Sequence, residues 1–221
     1  MNSIVARLVL FAGPTAHGLQ RKALLRRGEL LQPPVRRGDI ARLVRRTKQP
    51  GVVVICDGVF GGEPAVSHNE ICNALDAGWQ VWGVSSIGAI RAWELRTEGM
   101  RGHGYVYEQF ARFEDFTDDE LCLLHFPEPP YFPVSEPLVN LRYALDMQGA
   151  ALGITNRAAQ RLIEALRELW FGDRTEARMH DLMTREAGIA APAAQALLAW
   201  MRLHRVKTLD LLSLMTARPW A

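Results

Sequence analysis

Cysteine is scarce in this chain and its spacing pairs it with nothing. Cys56, Cys72 and Cys122 are the only three in 221 residues. Their odd number and wide separation argue against a disulfide framework, and no CxxC or Cys/His pair has zinc spacing. Buried, reduced thiols suit a cytoplasmic protein, which is the compartment expected here. No P-loop occurs, no G-x-G-x-x-G follows a strand and no H-E-x-x-H is present, so nucleotide and zinc-hydrolase chemistry lose their simplest support. Neither a metal nor a cofactor is expected. No apolar run reaches membrane length. Leu8-Val9-Leu10-Phe11-Ala12 is short, has no basic region of the signal type before it, and runs into Gly13-Pro14-Thr15, so it reads as a strand and a turn. A net charge of +2 is too small to argue for nucleic acid or a membrane surface.

What is present is ordinary for a globular protein: 48% hydrophobic and 23% charged residues, in a chain long enough to bury a core without cross-links. The positive charge gathers early. Arg21, Lys22, Arg26, Arg27, Arg36, Arg37, Arg42, Arg45, Arg46 and Lys48 crowd the first fifth of the sequence. They read either as solvated, dipole-compensating helix faces or as a docking face for an acidic partner protein.

The first half alternates strand and helix signals. Ser3 to Phe11 is an apolar run, Gly18 to Arg27 a short basic helix closed by Gly28, and Asp39 can cap a helix through Arg46. Pro33-Pro34 keeps the intervening residues extended. Gly51 to Cys56 is a strand whose unbroken apolar character suits a parallel sheet, ended by Asp57-Gly58. Ala65 to Ala77 has helical spacing, Trp79 to Val84 is another buried strand, and Ser86 to Thr97 another helix. The second half opens with a bend rich in proline around 127–137. Helical periodicity follows over roughly 137–150, 155–170, 174–187, 192–203 and 206–216, with Thr155 and Thr175 at N-cap positions and Pro192 in a first turn. The expectation is an α/β protein: a parallel-sheet core of βα repeats over residues 1–126, carrying a serine turn, then an all-helical C-terminal region over 127–221 packed on that core.

Ligands in open α/β sheets bind at the carboxyl ends of the strands. Those ends here carry Gly13-Pro14-Thr15, Asp57-Gly58 and Ser85-Ser86-Ile87-Gly88, which together offer a hydroxyl, a carboxylate and two serines to one crevice. A serine on a sharp strand-to-helix turn, with free N–H groups at the helix start, has the logic of a nucleophile elbow, although Gly83-x-x-Ser86-x-Gly88 is not G-x-S-x-G. The plainer reading is that Ser85 or Ser86 caps the helix. Ser67-His68-Asn69-Glu70 opens the preceding helix, also at the ligand-bearing edge. Arg91 and Glu94 read as an i,i+3 surface pair or as substrate contacts. Asp118-Asp119-Glu120 reads as a solvated helix start, because three consecutive residues on a helix cannot all face one ion.

Several motifs in order carry a family resemblance. Pro33 to Ile40, Ile55 to Phe60, Pro64 to Ile71, Gly83 to Leu95, Gly99-Met100, Asp118 to Glu120 and Ser135 to Arg142 resemble the TfuA family over roughly residues 5 to 145. The resemblance implies a partner of a YcaO-type enzyme, which uses ATP to activate a peptide-backbone amide for thioamidation of a precursor peptide or protein in ribosomal peptide modification. It further implies hydrolysis of a ThiS-like sulfur carrier whose C-terminus is a thiocarboxylate, by a Ser-Lys pair with the serine at Ser86. The only lysines are Lys22, Lys48 and Lys207, and Asn69 stands where many relatives have lysine. His68 is then the nearest candidate base. Combined with the strand-end reading, the expected site is Ser86, His68 and Asp57 as catalytic residues, with Gly13, Thr15, Gly58, Ser85, Gly88, Arg91 and Glu94 binding substrate. A non-catalytic adaptor that binds YcaO, peptide or carrier is the alternative.

Overall fold

The computed structural model describes residues 8–59 and 64–221. The first part of the expected opening strand, Ser3 to Arg7, and Phe60 of the Ile55–Phe60 motif lie outside the described residues. The chain divides into two compact units: Met1–Phe116 with Lys207–Ala221, and Thr117–Val206. The sequence had suggested a boundary at 126/127, and had grouped the last helix with the other C-terminal helices.

The first unit is built on five short parallel strands. These are β1 (Leu8–Phe11), β2 (Leu30–Gln32), β3 (Val52–Ile55), β4 (Gln80–Val84) and β5 (Arg101–His103), in the spatial order β2-β1-β3-β4-β5. β1 and β3 are buried along their whole length, as continuous apolar strands covered on both faces should be. The helices between them are α1 (Arg21–Leu24), α2 (Asp39–Arg46), α3 (His68–Asp76), α4 (Ile87–Glu94) and α5 (Tyr105–Arg112). β2 and β5, three residues each, were not foreseen as strands, and neither was α5; a three-residue edge strand is too short to show a period.

Side chains alternate across the sheet. Leu8, Leu10, Val52, Val54, Trp82 and Val84 face one side and form a core with Leu24 of α1, with Leu25 just after it, and with Leu211, Leu214 and Met215. On the other side, Gly83 and Gly88 let α4 lie against the sheet: a Cβ on Gly83 would fall 1.9 Å from the Gly88 carbonyl oxygen, and one on Gly88 1.8 Å from that of Ile55. α2 packs beside α3, whose start Ser67 closes by a capping box with Glu70. The polar run Ser67–Glu70 therefore serves a helix end first, and the second Glu70 oxygen takes the Gly38 N–H at 2.9 Å.

The second unit holds α6 (Leu138–Gln148), α7 (Asn156–Arg167), α8 (Glu176–Arg185) and α9 (Ala191–Leu203) around Leu141, Leu162, Leu166, Met179, Leu182, Leu197 and Met201. The Thr155 and Thr175 hydroxyls accept the N-cap bonds expected of them. The acidic run is solvated at Asp118 and in part at Asp119, but not at Glu120. Glu120 is 1% exposed and meets Arg142 and Arg167, while Asp119 meets Arg174, which is wholly buried and also donates to the carbonyls of Leu166, Asp119 and Leu169. The final helix, α10 (Val206–Ala217), supplies the first unit's core from Lys207 onward.

Candidate active site

The strand order turns back between β1 and β3, and that reversal is where an open α/β sheet leaves a crevice at its carboxyl edge. Asp57 stands there, two residues past β3 and 2% exposed. Its Oδ2 accepts the backbone N–H of Gly13 at 2.8 Å and of Thr15 at 3.0 Å, and its Oδ1 accepts the Thr15 hydroxyl at 2.6 Å. Three donors on a buried carboxylate fix the turn after β1 to the end of β3. This is the geometry of a positioning group, because little of the carboxylate remains to take up a substrate's proton.

The turn after β4 is strained. Ser85 has φ +67°, and the Ser86 N–H donates to the Val84 carbonyl at 2.8 Å. An i+2 hydrogen bond around a positive-φ residue is a γ-turn of the rare, strained kind. Such conformations at non-glycine residues persist where the surroundings over-determine them, and they concentrate at functional sites. The Ser85 hydroxyl is buried and donates at 2.6 Å to the carbonyl of Lys207. Ser86 occupies the N-cap of α4, yet its side chain makes no cap hydrogen bond, so the plainer reading of a capping serine does not hold for it. Of the N–H groups that open α4, Gly88 donates to the Cys56 carbonyl at 3.2 Å, whereas Ile87 has no acceptor among the described residues. Gly58 is used for packing: a Cβ there would meet Ile87 at 2.6 Å and the Val35 carbonyl at 2.9 Å.

Lys207, not preferred from sequence over Lys22 or Lys48, is 3% exposed. Its carbonyl holds Ser85, and the Thr208 hydroxyl donates to the Thr15 carbonyl at 2.9 Å, so the start of α10 is tied to the turns after β1 and β4. The Cys56 thiol sits within the fields of both Asp57 and Lys207; burial pushes its pKa well up, Asp57 adds to that and Lys207 opposes it. A sequence signal existed. Lys207, Asp210, Leu211, Leu214, Met215 and Arg218 recur at helical spacing and are all buried, so three charged residues sit on an apolar stripe.

His68 lies elsewhere. Its Nε2 is 2.8 Å from Glu94 Oε2, which also accepts from Arg91 Nη1 at 2.5 Å, and Arg91 Nε donates to the Val66 carbonyl at 3.0 Å. Glu94 is the last residue of α4 and Ser86 precedes the first, so the two are about 12 Å apart along the helix axis. His68, Arg91 and Glu94 thus form a trio that ties α3 to α4, with His68 and Glu94 partly exposed and Arg91 largely buried. Gly13, Thr15, Asp57, Gly58, Ser85, Ser86 and Gly88 gather at the strand ends.

The family model described as TfuA-like protein matches residues 57–175, more than half of the chain. The chain belongs to the TfuA-like family. The match runs from Asp57 through the serine turn and the His68–Arg91–Glu94 trio into the helical unit; Gly13, Thr15 and Lys207 fall outside it. TfuA-like proteins are associated with YcaO-type thioamidation enzymes. No curated protein matches the chain. Among the described residues, no helix is long and apolar enough to cross a membrane, and no group of three or more His, Cys, Asp or Glu side chains is placed to hold a metal ion.

Proposed function

We propose that this TfuA-like protein acts beside a YcaO-type enzyme in peptide-backbone thioamidation, hydrolysing the thiocarboxylate of a ThiS-like carrier protein to release sulfide. The observation that carries the reading is the strained Val84–Ser85–Ser86 turn locked to the carbonyl of the buried Lys207. Ser86 is the nucleophile, since its hydroxyl caps nothing while that of Ser85 is committed. The Ser86 oxygen attacks the thiocarboxylate carbon and its proton passes to the amine of Lys207. The developing oxyanion is met by the Ile87 N–H and the start of the α4 dipole. The tetrahedral adduct collapses with loss of hydrosulfide, and water then cleaves the acyl-serine to return a carboxylate and the serine hydroxyl. Asp57 positions the turn after β1 and supplies the charge opposite to Lys207 around Cys56. His68, held by Glu94, is not the base.

The test is mass spectrometry of a thiocarboxylated ThiS-like carrier incubated with the wild type, Ser86→Ala, Lys207→Met and His68→Ala. Loss of the sulfur mass with the wild type and His68→Ala, but not with the other two, is expected. Full turnover by Ser86→Ala would rule the mechanism out. Ser86 is itself buried, which favours one second reading, a non-catalytic adaptor for YcaO, carrier or peptide; no turnover by the wild type together with retained carrier binding would establish it.

A further inference from the structure

The early positive charge is not one surface. Arg26 and Arg27 come just after α1; its Leu24 and the following Leu25 pack with α10 on one face of the sheet, while α2 lies beside α3 on the other. The stretch from Arg36 to Lys48 is the more polarised part: six positive side chains against the single carboxylate of Asp39, in a chain whose net charge is only +2. Asp39 is taken up locally, accepting the Arg36 N–H at 2.9 Å and Arg42 Nη1 at 3.0 Å. Ile40 of α2 is wholly buried and Leu43 and Val44 partly so, which leaves Arg42, Arg45 and Arg46 exposed. Arg37, Arg45 and Arg46 make no side-chain hydrogen bond or ion pair among the described residues.

This surface begins at the candidate active site. Val35 bridges Gly58 in parallel register, donating its N–H to the Asp57 carbonyl at 2.8 Å and accepting that of Val59 at 3.3 Å. Arg36 and Arg37 are the next two residues, so the basic stretch runs from the mouth of the crevice outward over α2. A chain end entering between β1 and β3 leaves the body it belongs to above these arginines. We infer that the exposed face of α2, with Arg36 and Arg37, docks an acidic surface on the carrier protein that presents its C-terminal tail to the Asp57–Ser86 crevice. The inference rests on the carrier reading for the occupant, not on the hydrolysis. Five of the six cations are arginines, whose planar guanidinium suits paired carboxylates, and they alternate with apolar residues as in a protein interface. No Phe, Tyr or Trp lies between Arg36 and Lys48 to stack on nucleic-acid bases.

The experiment measures binding of the full chain to the ThiS-like carrier in its carboxylate form, which has no sulfur to lose, with sulfide release from the thiocarboxylate form assayed in parallel. Arg45→Glu with Arg46→Glu, and Arg36→Glu with Arg37→Glu, are expected to weaken Kd at least tenfold. Arg45→Lys with Arg46→Lys keeps most of the affinity, Arg26→Glu with Arg27→Glu on the other sheet face leaves Kd unchanged, and wild-type Kd weakens as salt is raised. All variants are compared at matched circular dichroism. A change below twofold in both α2-side variants, an equal loss from Arg26/Arg27 reversal, no carrier binding by the wild type, or tighter binding to a 20-base-pair duplex than to the carrier would overturn the inference. Charge-dependent binding without sulfide release would remove the hydrolase reading and leave the docking face standing. Sulfide release unaffected by every reversal would do the opposite.

Discussion

Asp57→Asn isolates what the switch-point carboxylate contributes. The carboxylate takes three hydrogen bonds, two from the backbone N–H groups of Gly13 and Thr15 on Oδ2 and one from the Thr15 hydroxyl on Oδ1. In its best orientation an asparagine puts its oxygen under the two N–H groups and turns its amide toward Thr15, whose hydroxyl rotates to accept. Connectivity then survives and charge assistance is lost. A bond to a charged group is worth about 1.5–3 kcal/mol against about 0.5–1.5 for a neutral one, so three bonds lose roughly 3 kcal/mol. Relief from burying a charge at a 2% exposed position offsets part of this, leaving a net cost of about 2 kcal/mol. Asp57→Ala removes the acceptors outright and strands all three donors, at about 1–3 kcal/mol each. Urea denaturation at pH 7, followed by circular dichroism, should therefore rank wild type, Asp57→Asn and Asp57→Ala in falling stability, with Thr15→Val adding little to Asp57→Ala because the two share a bond. An asparagine variant within about 0.5 kcal/mol of wild type, with alanine no worse, would refute the clamp.

Three further perturbations follow from the same geometry. Burial raises the Asp210 carboxyl to about 7 although it accepts the N–H groups of Tyr105 and Val106, so the folded state holds a proton that the unfolded chain has released. Stability from this group is greatest near pH 4 and falls as pH rises toward 7, by up to about 4 kcal/mol; stability curves for wild type and Asp210→Asn should diverge over that window, and parallel curves would remove the assignment. Arg174→Met leaves the carbonyls of Leu166, Leu169 and Asp119 without their donor, at about 1–3 kcal/mol for each that stays buried, while the part-exposed Asp119 carboxylate is met by water; denaturant titration of the full chain reads the loss, and a cost under 1 kcal/mol would show the buried guanidinium to be dispensable. Gly88→Ala must push the start of α4 off the Ile55 carbonyl and should lower the thermal midpoint while abolishing sulfide release, whereas unchanged melting would mean that the close approach is not needed.

The parts of the fold that could be read from sequence were those whose signal is local. β3 and β4 are apolar runs ended by Asp57-Gly58 and Ser85-Ser86, and α7 and α8 begin at threonines that cap them. The edge strands are three residues long, and the N-cap of α5 is Gly104, which has no side chain to cap with. Asp210 supplies that cap from more than a hundred residues away, and a Cβ on Gly104 would strike its carboxylate at 2.3 Å, so neither partner announces the other in sequence. Within the acidic run, Asp118 is solvated as its position suggests, but Glu120 looks like any helix-start acid until Arg142 and Arg167 close on it.

The serine turn shows where such reading runs out. Sequence placed two serines and a glycine after β4 but could not choose between a cap and a nucleophile, because that choice depends on where each hydroxyl points. The Ser85 hydroxyl points at the Lys207 carbonyl, 122 positions away, in a residue held at positive φ, while the Ser86 hydroxyl makes no cap bond to α4. On the proposed mechanism the lysine missing from position 69 comes from α10, not from the helix that follows β3. A family pattern read position by position would find the pair broken at Asn69. Tying α10 to the turns after β1 and β4 brings Lys207 within the field of Cys56, beside Asp57, from a segment that the family match, ending at residue 175, does not reach. If Lys207 is the base, Asn69→Lys should not raise sulfide release in the wild type nor restore it in Lys207→Met. Rescue by Asn69→Lys would move the base to α3 and leave Lys207 a structural residue.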